Sequence, residues 1–139
     1  MPYEITRDGK TVRIVVTAKE MKQAFLDGGR AFLHLLSGDK AVREQEKVEI
    51  VVQASTLNEL YLGWLEDIMQ QSAAREILFS DLSIFVIEKS GKDFVLTGSA
   101  VGERVPKSDP RYASFPVLPK KAVCAEKSGF RFEVAVTTH

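Results

Sequence analysis

Residues 56–88, TLNELYLGWLEDIMQQSAAREILFSDLSIFVIE, decide how the rest of the chain is read. Leu57, Leu60, Tyr61, Trp64, Leu65, Ile68 and Met69 recur at the i, i+3, i+4, i+7 spacing of one helical face. Thr56 and Glu59 make a capping pair, in which the hydroxyl takes an otherwise unpaired N–H and the carboxylate reaches back to the cap. The helix is expected to end around residues 73–75. A strand from Leu78 to Glu88 follows, with Leu82, Ile84 and Val86 on one face and Phe85 and Ile87 on the other. Burial of each large apolar side chain contributes roughly 1.5–3 kcal/mol. No other segment holds as many, so the remaining elements are expected to pack on this helix and strand.

Upstream, Val48–Ala54 reads as a strand, preceded by a charged linker over 39–46. Thr17 and Glu20 form a second capping pair, so a helix is expected from there to about Ser37, with Gly38 as its stop. Met21, Ala24, Phe25, Gly28, Phe32, Leu35 and Leu36 share one face of it. Gly28 and Gly29 lie mid-helix, where each costs about 1 kcal/mol against alanine. Close approach of another element is the expected reason. Phosphate binding is not, because neither glycine opens the helix. Tyr3–Thr6 and Thr11–Val16 read as a hairpin around Asp8-Gly9.

Downstream, Ser90-Gly91-Lys92 is a turn and Phe94–Val101 the returning strand. Residues 102–119, GERVPKSDPRYASFPVLP, carry four prolines and no periodicity, as a long loop of functional interest would. Lys120–Ala125 and Gly129–Thr137 close the chain as strands. The order ββαβαββββ implies an α+β fold in a single domain over 1–139, with two helices packed on a mostly antiparallel or mixed β-sheet.

Nineteen basic residues balance nineteen acidic ones. Without a net positive field, direct nucleic-acid contact is expected to be weak or absent. Cys124 is the one cysteine, which excludes an internal disulfide. No apolar run reaches the roughly 20 residues of a membrane span, and MPYEITRDGK has no apolar signal core. The expected setting is the cytoplasm, away from membranes.

Little here reads as catalytic chemistry, and the chain is expected not to be an enzyme. His34 lies off the main apolar face of its helix, His139 is the last residue, and neither belongs to a ligand motif. Cys124 sits in an apolar strand like a small buried hydrophobe. Glu66 and Asp67 read as solvated. There is no Walker loop, dinucleotide fingerprint, H-E-x-x-H or nucleophile elbow. A small-molecule enzyme would have to gather Asp8, Glu103, Lys121 or His139 within hydrogen-bond reach of one substrate. Lys107, Arg111, Lys120 and Lys121 border the proline-rich segment, near Tyr112 and Phe115. With Glu103 they are the candidate partner-binding residues.

Two blocks carry a family resemblance. Residues 2–25, PYEITRDGKTVRIVVTAKEMKQAF, resemble the opening of the archease family, a Y-E strand, an aspartate-rich turn, a second strand and a helix; Tyr3, Glu4, Val12, Ile14, Lys19, Ala24 and Phe25 hold the frame. Residues 57–88 resemble the family's W-L helix followed by an L-F-S strand, through Trp64-Leu65 and Leu78-Phe79-Ser80. Gly102-Glu103 and Lys121-Ala122-Val123 match the residues that flank the family's long loop.

The resemblance implies an accessory protein of tRNA splicing. It would promote guanylylation and turnover of the RNA ligase that joins a 2′,3′-cyclic-phosphate end to a 5′-hydroxyl. The ligase would be its partner, held by the terminal strands and the loop after Glu103. The alternative is a repurposed protein-binding or chaperone-like module with no role in RNA ligation. Archease is thought to hold a divalent metal, calcium or magnesium, between two aspartates. The matching positions are Thr11 and Thr137, while Arg7 and Asp8 replace an aspartate and a histidine of the turn. A hard cation wants carboxylate oxygens, so no intact metal site and no cofactor are expected. Asp8 and His139 are the substitute donors, and Asp8 would reach the site only after a three-residue register shift.

Overall fold

The computed structural model describes residues 3–9, 11–37, 43–106, 116–126 and 130–138; side chains 8, 36, 37, 116–126 and 136–138 lie outside that description. The elements are β1 (Tyr3–Asp8), β2 (Thr11–Ala18), α1 (Met21–Ser37), β3 (Glu46–Ala54), α2 (Leu57–Arg75), β4 (Ile77–Ser90), β5 (Asp93–Arg104), β6 (Pro116–Glu126) and β7 (Phe130–Thr138). This is the expected α+β order. The strands divide into two antiparallel sheets, β1-β2-β7-β6 and β3-β5-β4. Each helix bridges the sheets: α1 lies on β2 and β4, α2 on β6 and β3.

The division follows from how much of α1 is buried. Ala24, Phe25, Asp27, Gly28, Gly29, Ala31, Phe32, Leu33 and Leu35 are all covered, an arc wider than the single stripe that one sheet requires. On α2 the buried residues are Leu60, Tyr61, Trp64, Leu65, Ile68, Met69 and Ser72. One continuous core joins these to Val12, Ile14, Val16, Phe132 and Val134 of the first sheet and to Val48, Ile50, Leu82, Ile84, Leu96 and Ala100 of the second.

Thr56 caps α2 in extended backbone, φ −129° and ψ 159°, and its hydroxyl accepts the Glu59 N–H at 3.1 Å. The Glu59 carboxylate takes the Ser55 hydroxyl at 3.3 Å. The helix closes at Glu76, in left-handed conformation with φ 54°, whose N–H bonds to the Ser72 carbonyl. The second capping pair does not form as expected. Thr17 belongs to β2, in register with Arg131, and α1 starts at Met21, where the Ala24 N–H reaches the Glu20 carbonyl at 3.0 Å. Strand pairing with β7 holds Thr17 and Ala18 extended, which moves the helix start on by a turn. The segment expected to be a loop over 102–119 is strand at both ends, in β5 and β6.

Gly28 and Gly29 let α2 come against α1. A Cβ on Gly28 would overlap the Tyr61 ring and hydroxyl, and one on Gly29 would press first on Leu82 Cδ1 of β4 and then lie 2.9 Å from Trp64 Nε1, so Gly29 also lets β4 approach. Trp64 donates that indole N–H to the Phe25 carbonyl at 3.0 Å. Tyr61 stacks on Phe132 with ring centroids 4.3 Å apart, and Phe25 meets both rings edge-on at 5.3 and 5.0 Å. Close packing is therefore the role of both glycines.

The Tyr61 hydroxyl is buried with no hydrogen-bond partner among the described residues. Burial first, and then the Asp27 charge, push the phenol well above its ordinary value of 10.0. An unsatisfied buried hydroxyl costs about 1–3 kcal/mol. Tyr61→Phe is expected to raise stability by about 1 kcal/mol, read as a shift in the urea midpoint. The folded state holds this proton more tightly than the unfolded one. Wild-type stability therefore falls as pH rises above about 10, and Tyr61→Phe is expected to flatten that fall.

Candidate functional site

The β1–β2 hairpin turns at Gly9, whose φ of 62° suits glycine. Its register sets Asp8 opposite Thr11. On the other side of β2, Thr11 is in register with Thr137 of β7. Asp8, Thr11 and Thr137 thus form one row across three adjacent strands, without any register shift. The hairpin closes the three-residue distance that separates Asp8 from Thr11 in sequence.

Thr11 is exposed, on the face of β2 opposite buried Val12. Along that face Arg13 pairs with Glu133 at 3.1 Å, and Glu133 also takes Arg131 at 3.2 Å. Directly opposed residues in a sheet sit roughly 4.5–5.5 Å apart, close enough for two carboxylates to share one cation. Threonine hydroxyls carry no charge and are weak ligands for calcium or magnesium. The Thr11–Thr137 pair does not match that donor set. The side chains of Asp8 and Thr137 lie outside the described residues, as does all of His139.

The other sequence candidates fall in different parts of the molecule. Glu103 is half-buried on β5, and its carboxylate accepts the Arg43 N–H at 3.1 Å, which ties the approach to β3 against the second sheet. Lys120 and Lys121 belong to β6, where Lys121 is in register with Ala135; their side chains, and all of Lys107 and Arg111, are outside the described residues. Asp8 and Lys121 lie on opposite edge strands of the first sheet, three inter-strand steps or roughly 14 Å apart. Glu103 is on the other sheet. Their backbone positions do not converge on one substrate.

His34 is exposed and forms one wall of an open groove of about 770 Å³, whose other wall is Tyr3, Glu4, Ile5 and Thr6 of β1. Two acidic residues had no signal strong enough to find them. Asp27 is buried on α1, with its carboxylate accepting from Gln23 at 2.8 Å. Asp67, expected to be solvated, is half-buried beside the Trp64 turn. Burial pushes its carboxyl up from 3.8, and a hydrogen bond from Gln71 pulls it back in part. Burial penalises the charged form, so the penalty on the folded state is absent below the ordinary aspartate value and complete above the raised one. Stability is expected to fall as pH rises through that window, and Asp67→Asn is expected to remove this fall in urea midpoints taken from pH 3.5 to 7.

The family model described as the archease protein family matches residues 3–130, which includes Thr11 and stops short of Thr137. The protein archease of Methanopyrus kandleri is 28% identical over 103 residues, covering 74% of this chain and 73% of that protein. The solution structure of Methanobacterium thermoautotrophicum protein 1598 superposes with a TM-score of 0.77 at 16% identity, over 98% of both chains. That last likeness concerns the fold alone. Among the described residues no helix is long and apolar enough to cross a membrane.

Proposed function

The chain belongs to the archease family, and from that premise we propose that it is an accessory protein that binds a tRNA-splicing RNA ligase and promotes its guanylylation and turnover. The family match across residues 3–130 carries this reading. The protein contributes no bond-making groups of its own. Its surfaces hold the ligase in a form that accepts and passes on the nucleotide. It does so without the divalent cation, because its opposed strand positions are Thr11 and Thr137.

The test is the rate of ligase guanylylation with and without the protein. Wild type is expected to accelerate it, to the same degree with and without added calcium, the ligase's own divalent metal being supplied in both. No acceleration and no binding would end this reading. The competing reading is a binding module on the same scaffold that no longer serves RNA ligation, and the loss of the acidic pair is what favours it. Affinity capture from the native cell that recovers a single defined partner other than the ligase would decide for the module.

A further inference from the structure

We propose that the outer face of the second sheet carries a site for a small zwitterion, an α-amino acid with an apolar side chain. The site is a pocket of about 340 Å³ lined by Lys47 and Glu49 of β3, Ser99 of β5 and Phe85 of β4. Its floor points to a ligand. Leu96 and Ala100 of β5 face the core, so Ser99 faces the other way. Ser99 is nonetheless only 3% exposed. Of the other buried polar side chains among the described residues, Asp27 accepts from Gln23 and Ser72 donates to the Ile77 carbonyl. The Tyr61 hydroxyl is unpaired, but it sits against Gly28. The Ser99 hydroxyl has no hydrogen-bond partner among the described residues, and it lines the pocket. A hydroxyl so covered has lost most of its water, and a ligand group in the pocket restores a partner.

A ring and two unpaired charges make the walls. A register shift between Ile84 and Val86 leaves Phe85 without a partner on β5 and turns its ring outward, 53% exposed. Lys47 Nζ reaches across β5 to 5.6 Å from the centre of that ring, and so covers Ser99. Lys47 makes no ion pair among the described residues, and neither does Glu49, the register partner of Ser99. An ammonium on an exposed phenyl ring is weakly held, so Lys47 is free to turn to an anion. The two charges decide the occupant. A plain anion would meet Lys47 and be repelled by Glu49, and a plain cation would meet Glu49 and be repelled by Lys47. A ligand carrying both charges satisfies both residues. Lys47 and Glu49 lie two strand positions, roughly 7 Å, apart, so an ammonium and a carboxylate on one carbon fit between them. The Ser99 hydroxyl then donates to the ligand carboxylate, and the apolar side chain lies on Phe85. The volume stands at the small end of the roughly 300–1,000 Å³ of ligand sites, which suits one amino acid. The inference does not draw on the accessory-protein reading.

The probe is L-phenylalanine, titrated into the 15N-labelled full chain beside phenylpropionate, which lacks the ammonium, and phenylethylamine, which lacks the carboxylate. Shifts are expected at Lys47, Glu49, Phe85 and Ser99, with each single-charge compound at least tenfold weaker than phenylalanine. Glu49→Gln is expected to weaken phenylalanine at least fivefold and to tighten phenylpropionate. Lys47→Met is expected to weaken phenylalanine as much and to tighten phenylethylamine. Opposite changes from one substitution cannot come from misfolding. Ser99→Ala is expected to weaken phenylalanine at least twofold. No shifts at tens of millimolar phenylalanine, shifts centred elsewhere, or equal binding of the three compounds would overturn the proposal. So would ligase binding that Lys47→Met and Glu49→Gln abolish in a protein that ignores phenylalanine, because the face would then belong to a partner protein. A protein that binds phenylalanine and ignores the ligase would keep this site and reject the accessory role.

Discussion

Trp64→Ala is expected to lower the unfolding free energy by about 4 kcal/mol, a fall in Tm of roughly 10–16 °C for a chain of this size. Trp64 is fully buried where the two helices meet over both sheets. Its indole N–H is bonded to the Phe25 carbonyl at 3.0 Å, and its ring lies against Gly29. Alanine removes the packing and opens a cavity that rigid neighbours on two sheets fill poorly. Trp64→Phe separates the terms. It keeps most of the apolar volume and loses the hydrogen bond, so about 1–2 kcal/mol is expected. Thermal unfolding by circular dichroism reads both. Equal losses would mean that the indole hydrogen bond, not packing, holds the helices together.

Thr11→Asp combined with Thr137→Asp is expected to create calcium binding that wild type lacks. The two positions are register partners on β2 and β7. Two carboxylates placed there repel, and opposed like charges destabilise a sheet by roughly 0.2–1 kcal/mol. A divalent cation relieves this and adds binding energy. If the dissociation constant lies in the range of roughly 0.1–1 mM typical of weak oxygen sites, 10 mM calcium stabilises the double variant by about 1.4–2.7 kcal/mol. Wild-type unfolding should not respond to calcium. The single variants should respond weakly, since one carboxylate neutralises half the ion's charge. A calcium response in wild type equal to that of the double variant would show that other oxygens hold the ion.

Much of the scaffold was legible because its signals are local. The Leu60-to-Met69 stripe, the Thr56 cap and the glycine turns depend on neighbours a few residues away, and each appears where the pattern placed it. The glycine pair on α1 was legible too, since mid-helix glycine has few other reasons to exist. What escaped was non-local. Thr17 looked like a helix cap until Arg131, over a hundred residues later, took it into a strand. Asp27 and Asp67 look like surface residues in sequence, and their burial follows from helices wedged between two sheets. The row of Asp8, Thr11 and Thr137 needed the strand register to appear. The groove at β1 required an edge, which no single strand can announce.

The most direct test is the affinity of the purified RNA ligase for this protein, measured by titration calorimetry once in calcium and once in chelator. The proposed accessory role, in which Thr11 and Thr137 leave no cation site, predicts binding with the same dissociation constant in both. Binding that appears only with calcium, or no binding in either, would contradict it.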